Sequence, residues 1–202
     1  MNKLYQFDIE YKNNNKILNL CGIDEVGRGP LAGPVYAAAV IFPNFEIQQV
    51  NDSKKLSAKN REKIFEILQK NNIIYSIGIS TVEEIDKFNI LNAAKLAMQR
   101  AVKNLNLKPD FILVDGNFVP DFDNIKCQNI IKGDSVSYSI ACASIIAKVL
   151  RDKFMCGLHE QFPEYDFIDN KGYGTQKHID AIKKFGPCIY HRNTFLKNIL
   201  CE

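Results

Sequence analysis

The chain has 202 residues, 46% of them apolar and 24% charged, with a formal net charge of +3. That length holds one domain with a sizeable core, and the profile is that of an ordinary globular protein, which excludes disordered and fibrous classes. So mild a positive charge permits nucleic-acid binding without arguing for it. The six cysteines (Cys21, Cys127, Cys142, Cys156, Cys188, Cys201) show no Cys-x-x-Cys and no short Cys/His pairing, which counts against structural zinc. Met1 to Asn15 is polar and charged, without the apolar stretch of a signal peptide, and the longest wholly apolar run, Val35 to Phe42, is far too short to span a bilayer. A soluble, reducing, cytoplasmic setting is expected, with the cysteines reduced and mostly structural.

In chain order, Ile17 to Val26 reads as a strand, Gly27 to Pro34 as a turn and Val35 to Phe42 as a strand buried on both faces. Ser57 is placed to cap a helix running to about Gln69, with Ile64, Phe65 and Leu68 on one face. Asn72 to Ser80 reads as a third strand. Thr81-Val82-Glu83-Glu84 is a capping box that opens a short helix, and Asn89 caps a longer one whose apolar positions run from Leu91 to Leu105. Lys108-Pro109 ends it. Phe111 to Val114 is a short apolar strand stopped by Asp115-Gly116, and a weaker strand covers about Ile125 to Ile131. Asp134 or Ser135 is expected to cap a long helix, rich in small residues, to about Gln161. A loop around Gly172-Tyr173-Gly174, a helix from about Thr175 to Lys184 and a polar tail complete the chain. The pattern is an α/β fold, a mixed sheet with helices on its faces. No linker or repeat divides it, so residues 1–202 are expected to form one unit, with a helical C-terminal part from about 165 packed on it.

The densest chemistry lies in Asp24-Glu25-Val26-Gly27-Arg28-Gly29-Pro30-Leu31-Ala32-Gly33-Pro34. Carboxylates on a buried strand are costly unless something positive is held there. Asp24 and Glu25 end one strand, Asp115 ends another, and Asp134 precedes the long helix. In open α/β sheets, ligands gather where strand ends meet loops. Converging carboxylates repel without a cation, and hard oxygen ligands suit Mg²⁺ or Mn²⁺. Two such ions about 4 Å apart form a clamp for in-line phosphodiester hydrolysis. Each acid also has an ordinary reading: Asp134 as a helix cap, Asp115-Gly116 as a turn. Asp24-Glu25 resists one, because strand neighbours point to opposite faces. Gly27-Arg28-Gly29 reads either as a hairpin turn or as bare backbone able to touch a ribose, with Arg28 on the adjoining phosphate. Tyr173 reads either as packed on the domain or as stacked on a sugar or base. Asp52-Ser53-Lys54-Lys55 is either a polar loop or a donor of a lysine and a hydroxyl to backbone phosphates. Two basic clusters, Lys54 to Lys63 and Lys171 to the C-terminus, read equally as solvated faces or as duplex contacts.

These residues resemble the ribonuclease HII family, the type 2 ribonucleases H. Asp24 to Pro34 resembles its opening signature, Asp52-Ser53-Lys54-Lys55-Leu56 its lysine loop and Leu113-Val114-Asp115-Gly116 its third acid. Lys132-Gly133-Asp134-Ser135, with the helix through Arg151-Asp152, resembles its fourth acid, and Lys171-Gly172-Tyr173-Gly174-Thr175 its tyrosine loop. The blocks run in order across residues 20 to 195. The resemblance implies a ribonuclease H-like fold and metal-dependent cleavage of RNA in RNA–DNA hybrids and at single ribonucleotides embedded in duplex DNA. It implies a cut on the 5′ side of the ribonucleotide, leaving a 3′-hydroxyl and a 5′-phosphate. It assigns Asp24, Glu25, Asp115 and Asp134 as catalytic, metal-binding acids with Mg²⁺ or Mn²⁺. Gly27, Arg28 and Gly29 would read the 2′-hydroxyl, Lys54 would bind substrate, and Tyr173 would sense the deoxyribose that follows. Gly-Arg-Gly favours type HII over type HIII. Thr194 stands where the family usually carries serine, and Leu196 to Glu202 shows no sliding-clamp motif, so a monomer with no protein partner and no membrane is expected. Asp152 is expected to support the metal site. The rival readings are a hybrid-binding module without turnover and a DNA-structure nuclease of the same fold.

Overall fold

The structure, a computed structural model, describes residues 1–200. Cys201 and Glu202, the end of the expected tail, lie outside the described residues. Helix α1 (Lys3–Asn14) precedes strands β1 (Leu20–Val26) and β2 (Val35–Ile41). Helix α2 (Ala58–Lys70), β3 (Tyr75–Ser80), α3 (Val82–Phe88) and α4 (Ile90–Lys103) follow. Then come β4 (Phe111–Asp115), β5 (Lys126–Ile130) and the long α5 (Tyr138–Gln161). Short α6 (Phe167–Asn170), α7 (Gln176–Phe185) and α8 (Asn193–Leu200) close the chain. Among the described residues no helix is long and apolar enough to cross a membrane.

The sheet order is β3-β2-β1-β4-β5. β1, β2 and β3 run antiparallel as a meander, while β4 and β5 lie parallel to β1 and to each other. Every residue of β2 is buried, as its apolar, β-branched and alanine-rich sequence predicts, because helices cover both faces. On one face Cys21, Ile23, Ala37 and Ala39 meet Ala94, Ala97, Met98 and Ala101 of α4. On the other, Ala38 and Val40 meet Ala141, Ile145 and Ile146 of α5, backed by Phe65 and Leu68 of α2. α5 comes very close to β1: a Cβ on Gly22 would lie 2.3 Å from the Ile140 nitrogen.

The caps at Ser57, Thr81 and Asn89 form as the sequence predicts, with the Thr81–Glu84 box reciprocal. Two expectations change, and one helix is added. Met1 to Asn15, read in the sequence only as polar and charged, carries α1. Leu4, Tyr5, Phe7 and Tyr11 follow a helical period, and α1 packs them against the aromatic side of the core. Asp8, on that apolar face, interrupts the pattern, yet it is fully buried and accepts a 2.7 Å hydrogen bond from the Ser139 amide. The long helix is capped by Ser137, not by Asp134 or Ser135, which form a separate 3-10 turn just before it. The expected polar tail contains α8, whose Leu196 is buried.

The C-terminal part has its own apolar cluster of Tyr165, Phe167, Ile182 and Leu196, joined to Ala32 and to Met155 of α5. His178 and His191 are buried within it, their Nε2 atoms 3.0 Å apart. Burial, with His178 beside it, pushes the His191 pKa down from 6.5 to about 4, and burial lowers His178 too. Between those pH values the unfolded chain takes up a proton that the folded chain refuses. The stability this pair contributes is therefore complete above pH 6.5 and is lost as pH falls towards 4. Melting curves should show a loss on the order of 2 kcal/mol between pH 7 and pH 4. His191→Gln should flatten that slope. A variant that loses stability in acid as steeply as the parent would show that the pair plays no part.

Candidate metal and nucleic-acid site

Parallel pairing sets Ile23 opposite Val114 and ends one residue before the acids. The next step brings Asp24 abreast of Asp115, both on the α5 face. Asp24 is buried and accepts from the Glu25 amide at 2.7 Å and from the Ser144 hydroxyl in α5. Glu25 points to the other side of the strand, as neighbours must. There Arg28 Nη1 donates to its Oε1 at 3.2 Å, while its Oε2 is buried with no hydrogen-bond partner. Asp115 Oδ1 accepts from the Gly133 amide at 2.6 Å, which ties the end of β4 to the turn that carries Asp134.

Asp134 is buried, with Lys54 Nζ 3.8 Å from its Oδ2. Asp52 lies beside it and helps to raise its pKa. Asp52 was not among the candidate ligands, although it lies in the motif that supplied Lys54. It receives the Lys54 amide at 2.9 Å and the Ser135 hydroxyl at 3.3 Å. Ser53 is also drawn in: its hydroxyl lies 2.8 Å from that of Ser144, the residue that reaches Asp24. Arg61, read in the sequence as part of a basic cluster that is either a solvated face or a duplex contact, donates to the Ser53 and Leu56 carbonyls and pins this loop. A lone serine or aspartate in a polar loop gives no sequence signal for such a role. The only hint was its adjacency to the lysine.

The electrostatics follow from burial of like charges. Burial, with Glu25 and Asp115 alongside, holds the Asp24 carboxyl well above its usual range. Burial raises Glu25 as well, against the pull of Arg28. Asp134 is raised by burial, then by Asp115 and Asp52. Burial disfavours the Lys54 charge, but Asp134, Asp24, Asp52 and Asp115 together outweigh it and raise its pKa. Asp115 is thus the common neighbour of Asp24, Glu25 and Asp134.

Among the described residues, no three His, Cys, Asp or Glu side chains are already closed around a metal position. The donor set still fits a hard divalent cation. It consists of carboxylate oxygens, three of its acids are destabilised as anions, and Glu25 Oε2 is buried without a partner.

The recognition residues divide. Arg28 is exposed, paired with Glu25 and set 5.5 Å from the Phe118 ring centre. Gly29 faces Tyr173: an added Cβ would lie 3.7 Å from a Tyr173 ring carbon. Tyr173 is 41% exposed, with Lys148 Nζ 6.0 Å from its ring centre. Gly27 points inward, with φ +97° and the space for a Cβ filled by Arg151. Its lack of a Cβ therefore serves internal packing, not an approach to a ribose. Asp152 does not reach the acids; it pairs with Lys148 at 2.8 Å and with Arg61 at 3.9 Å.

A mixed five-stranded sheet with acids at the ends of its central parallel pair defines a ribonuclease H-like protein. The profile of the family "Ribonuclease HII" matches residues 21–198. A ribonuclease HII of Caldicellulosiruptor bescii is 50% identical over 196 residues, covering 96% of this chain and 95% of that one. The crystal structure of the ribonuclease H2 from Pyrococcus horikoshii superposes with a TM-score of 0.73 at 28% identity, covering 91% of this chain and 97% of its own. The ribonuclease HII of Archaeoglobus fulgidus, solved as a complex with PCNA, gives 0.73 at 26% identity, covering 87% and 94%. The chain belongs to the ribonuclease HII family. It is a metal-dependent endoribonuclease, a hydrolase that acts on RNA–DNA hybrids.

Asp24 offers a test of the charge balance. A carboxyl whose folded pKa is raised contributes stability below its unfolded pKa and loses it as pH rises through the folded one. In EDTA at pH 8, Asp24→Asn should therefore melt about 2–4 °C above the parent, the shift expected for roughly 1 kcal/mol. The gap should close at low pH, and added Mn²⁺ should stabilise the parent more than the variant. A variant that melts lower at pH 8 would show that the cluster is not under repulsion.

Proposed function

We propose that Asp24, Glu25, Asp115 and Asp134 hold Mg²⁺ or Mn²⁺ and cleave on the 5′ side of a ribonucleotide, in hybrids and at single ribonucleotides embedded in duplex DNA. The observation that carries this reading is the convergence of the four carboxyls with a buried, unpartnered Glu25 Oε2. A bound divalent cation supplies Lewis acidity for water attack on the phosphorus and for the charge that develops on the phosphate. The chain's own groups do the rest. Asp24 and Asp115 anchor the cation from adjacent strand ends, with Ser144 and the Gly133 amide fixing their orientation. Glu25 and Asp134 complete the set from either side. Lys54, beside Asp134, holds the phosphodiester backbone and offsets the cluster's negative charge.

Gly29 and Arg28 present exposed backbone for a 2′-hydroxyl, with the Arg28 guanidinium free to turn from Glu25 to a phosphate. Gly27 supports that turn from below. Tyr173, facing Gly29, stacks on the following deoxyribose, so one surface meets both sides of an RNA-to-DNA junction. Cleavage then leaves a 3′-hydroxyl and a 5′-phosphate. The segment from about 165, carrying exposed Lys177 and Lys184, helps hold the duplex. We take the chain to work as a monomer in one catalytic unit, and its free thiols, Cys21 and Cys142 fully buried, suit a reducing cytoplasm.

A labelled DNA duplex with one ribonucleotide tests the reading. Cleavage should appear with Mg²⁺ or Mn²⁺, vanish in EDTA, fall 5′ of the ribonucleotide and vanish when it is replaced by a deoxyribonucleotide. Asp115→Asn should bind the duplex but cut at least about 100-fold more slowly. Near-parental cleavage by that variant would remove Asp115 from the metal site.

A further inference from the structure

Two arginines lie buried without an acid. Arg151 of α5 and Arg192, just before α8, are both 0% exposed. Among the described residues neither forms a salt bridge. A desolvated guanidinium is costly unless its fixed fork of donors is satisfied. Here the forks meet backbone carbonyls. Arg192 donates from Nε to Gly33 O at 2.9 Å, from Nη1 to Arg28 O at 3.0 Å, and from Nη2 to Gly27 O at 2.6 Å and Gly33 O at 2.7 Å. Arg151 donates to Pro34 O at 3.1 Å, Ala32 O at 3.2 Å and Lys171 O at 3.0 Å. Five of these carbonyls belong to the turn Gly27–Pro34, and the sixth lies two residues before Tyr173.

The consequence is directional. With the carbonyls drawn inward, the Arg28 and Gly29 amides make no hydrogen bond among the described residues, and both residues are exposed. Two further amides join the two loops, Leu31 and Ala32 donating to Gly172 O, while Gly33 donates to Tyr190 O at 2.8 Å. Gly27 is left-handed, with φ +97°, and a Cβ there would also lie 2.3 Å from Arg151 Nε, so the position admits only glycine. Burial lowers the Arg192 pKa to about 9, so at neutral pH a positive charge still sits beneath the free amides.

We propose that Arg151 and Arg192 are positioning residues for ribonucleotide recognition: they lock the Gly27–Pro34 turn and the Tyr173 loop into one rigid surface whose Arg28 and Gly29 amides face the substrate. The proposal rests on the reading that this turn reads the 2′-hydroxyl, and adds that discrimination is set by two side chains that never touch nucleic acid. A lysine cannot replace either arginine, because a single ammonium cannot span carbonyls that a planar fork reaches together.

The experiment uses Asp115→Asn, expected to bind the duplex and to cut too slowly to disturb a binding measurement, in buffer containing EDTA. Fluorescence anisotropy gives its affinity for a duplex carrying one ribonucleotide and for the same duplex in all-DNA form. The ratio measures discrimination. Adding Arg192→Lys or Arg151→Lys should lower that ratio about tenfold, with all-DNA affinity within about twofold, because a hydroxyl-reading site loses selectivity when its donors move. In the cleaving protein the same changes should raise KM more than they lower kcat. Hydrogen exchange on the parent supplies a second measurement that does not depend on a variant folding. In the free protein the Leu31, Ala32 and Gly33 amides should be protected like those of β1. Arg28 and Gly29 should exchange fast and slow down only with the ribonucleotide duplex. If the parent itself fails to discriminate, the hydroxyl-reading function falls. If it discriminates and a folded lysine variant does so equally well, or if the whole turn exchanges as a loose loop, the positioning role falls.

Discussion

Parallel pairing of β1 with β4 forces Asp24 and Asp115 side by side at the strand ends in the middle of a buried sheet, and much of the molecule is arranged around that contact. Two like charges about 4 Å apart repel by roughly 1 kcal/mol in water and several times more where water is scarce. The fold does not relieve this by separation. Gly22 lets α5 close over the sheet, and the Gly133 amide ties the turn carrying Asp134 onto Asp115, which confines the acids further. Relief comes from Lys54, Arg28 and polar hydrogens, and it is incomplete, because one Glu25 oxygen is left without a partner. A site that is stable alone would have little affinity left for a cation.

Helix α5 carries the organisation. Ser144 reaches Asp24, Lys148 lies over the Tyr173 ring, and Arg151 holds the Gly27–Pro34 turn. These positions are spaced four and three apart, so they share one helix face. The small residues Ala141, Cys142, Ala143 and Ala147 let the helix lie close to the sheet. A single rigid rod thus sets the spacing between the acids, the aromatic ring and the glycine-rich turn. That spacing suits a substrate whose ribose, phosphate and next sugar recur at fixed distances.

Much of this was legible in the chain, for local reasons. The Thr81–Glu84 box and the Ser57 and Asn89 caps need only neighbours in sequence, and the all-buried β2 shows in its composition. The acids and the glycine-rich turn stood out because those residue types are out of place near a core. What escaped depended on distant partners. α1 was hidden because Asp8 sits on its apolar face, and only the α5 amide it meets explains that. The α5 cap moved to Ser137 because the preceding turn holds Asp134 toward Lys54. Gly27 looked like a gap left for substrate, whereas an arginine from another element fills it. Asp52 and Ser53 were marked only by their place in the lysine motif, because the Ser135 and Ser144 hydroxyls they meet are distant in sequence.

The hydrogen bond from Ser139 to Asp8 joins residues 131 positions apart. While the chain is being synthesised, the β1–β2–β3 meander can pair early, since its strands are neighbours in sequence. One sheet face can be covered as soon as α4 emerges, but the central strand stays open on one side until β4 follows, and the other face stays largely uncovered until α5 does. α1 must wait for α5, although it precedes every strand in the chain. The apolar side chains of Leu4, Phe7 and Tyr11 therefore meet their partners only once α5 is in place, so the docking of α1 belongs to the late, long-range part of folding and closes the core last.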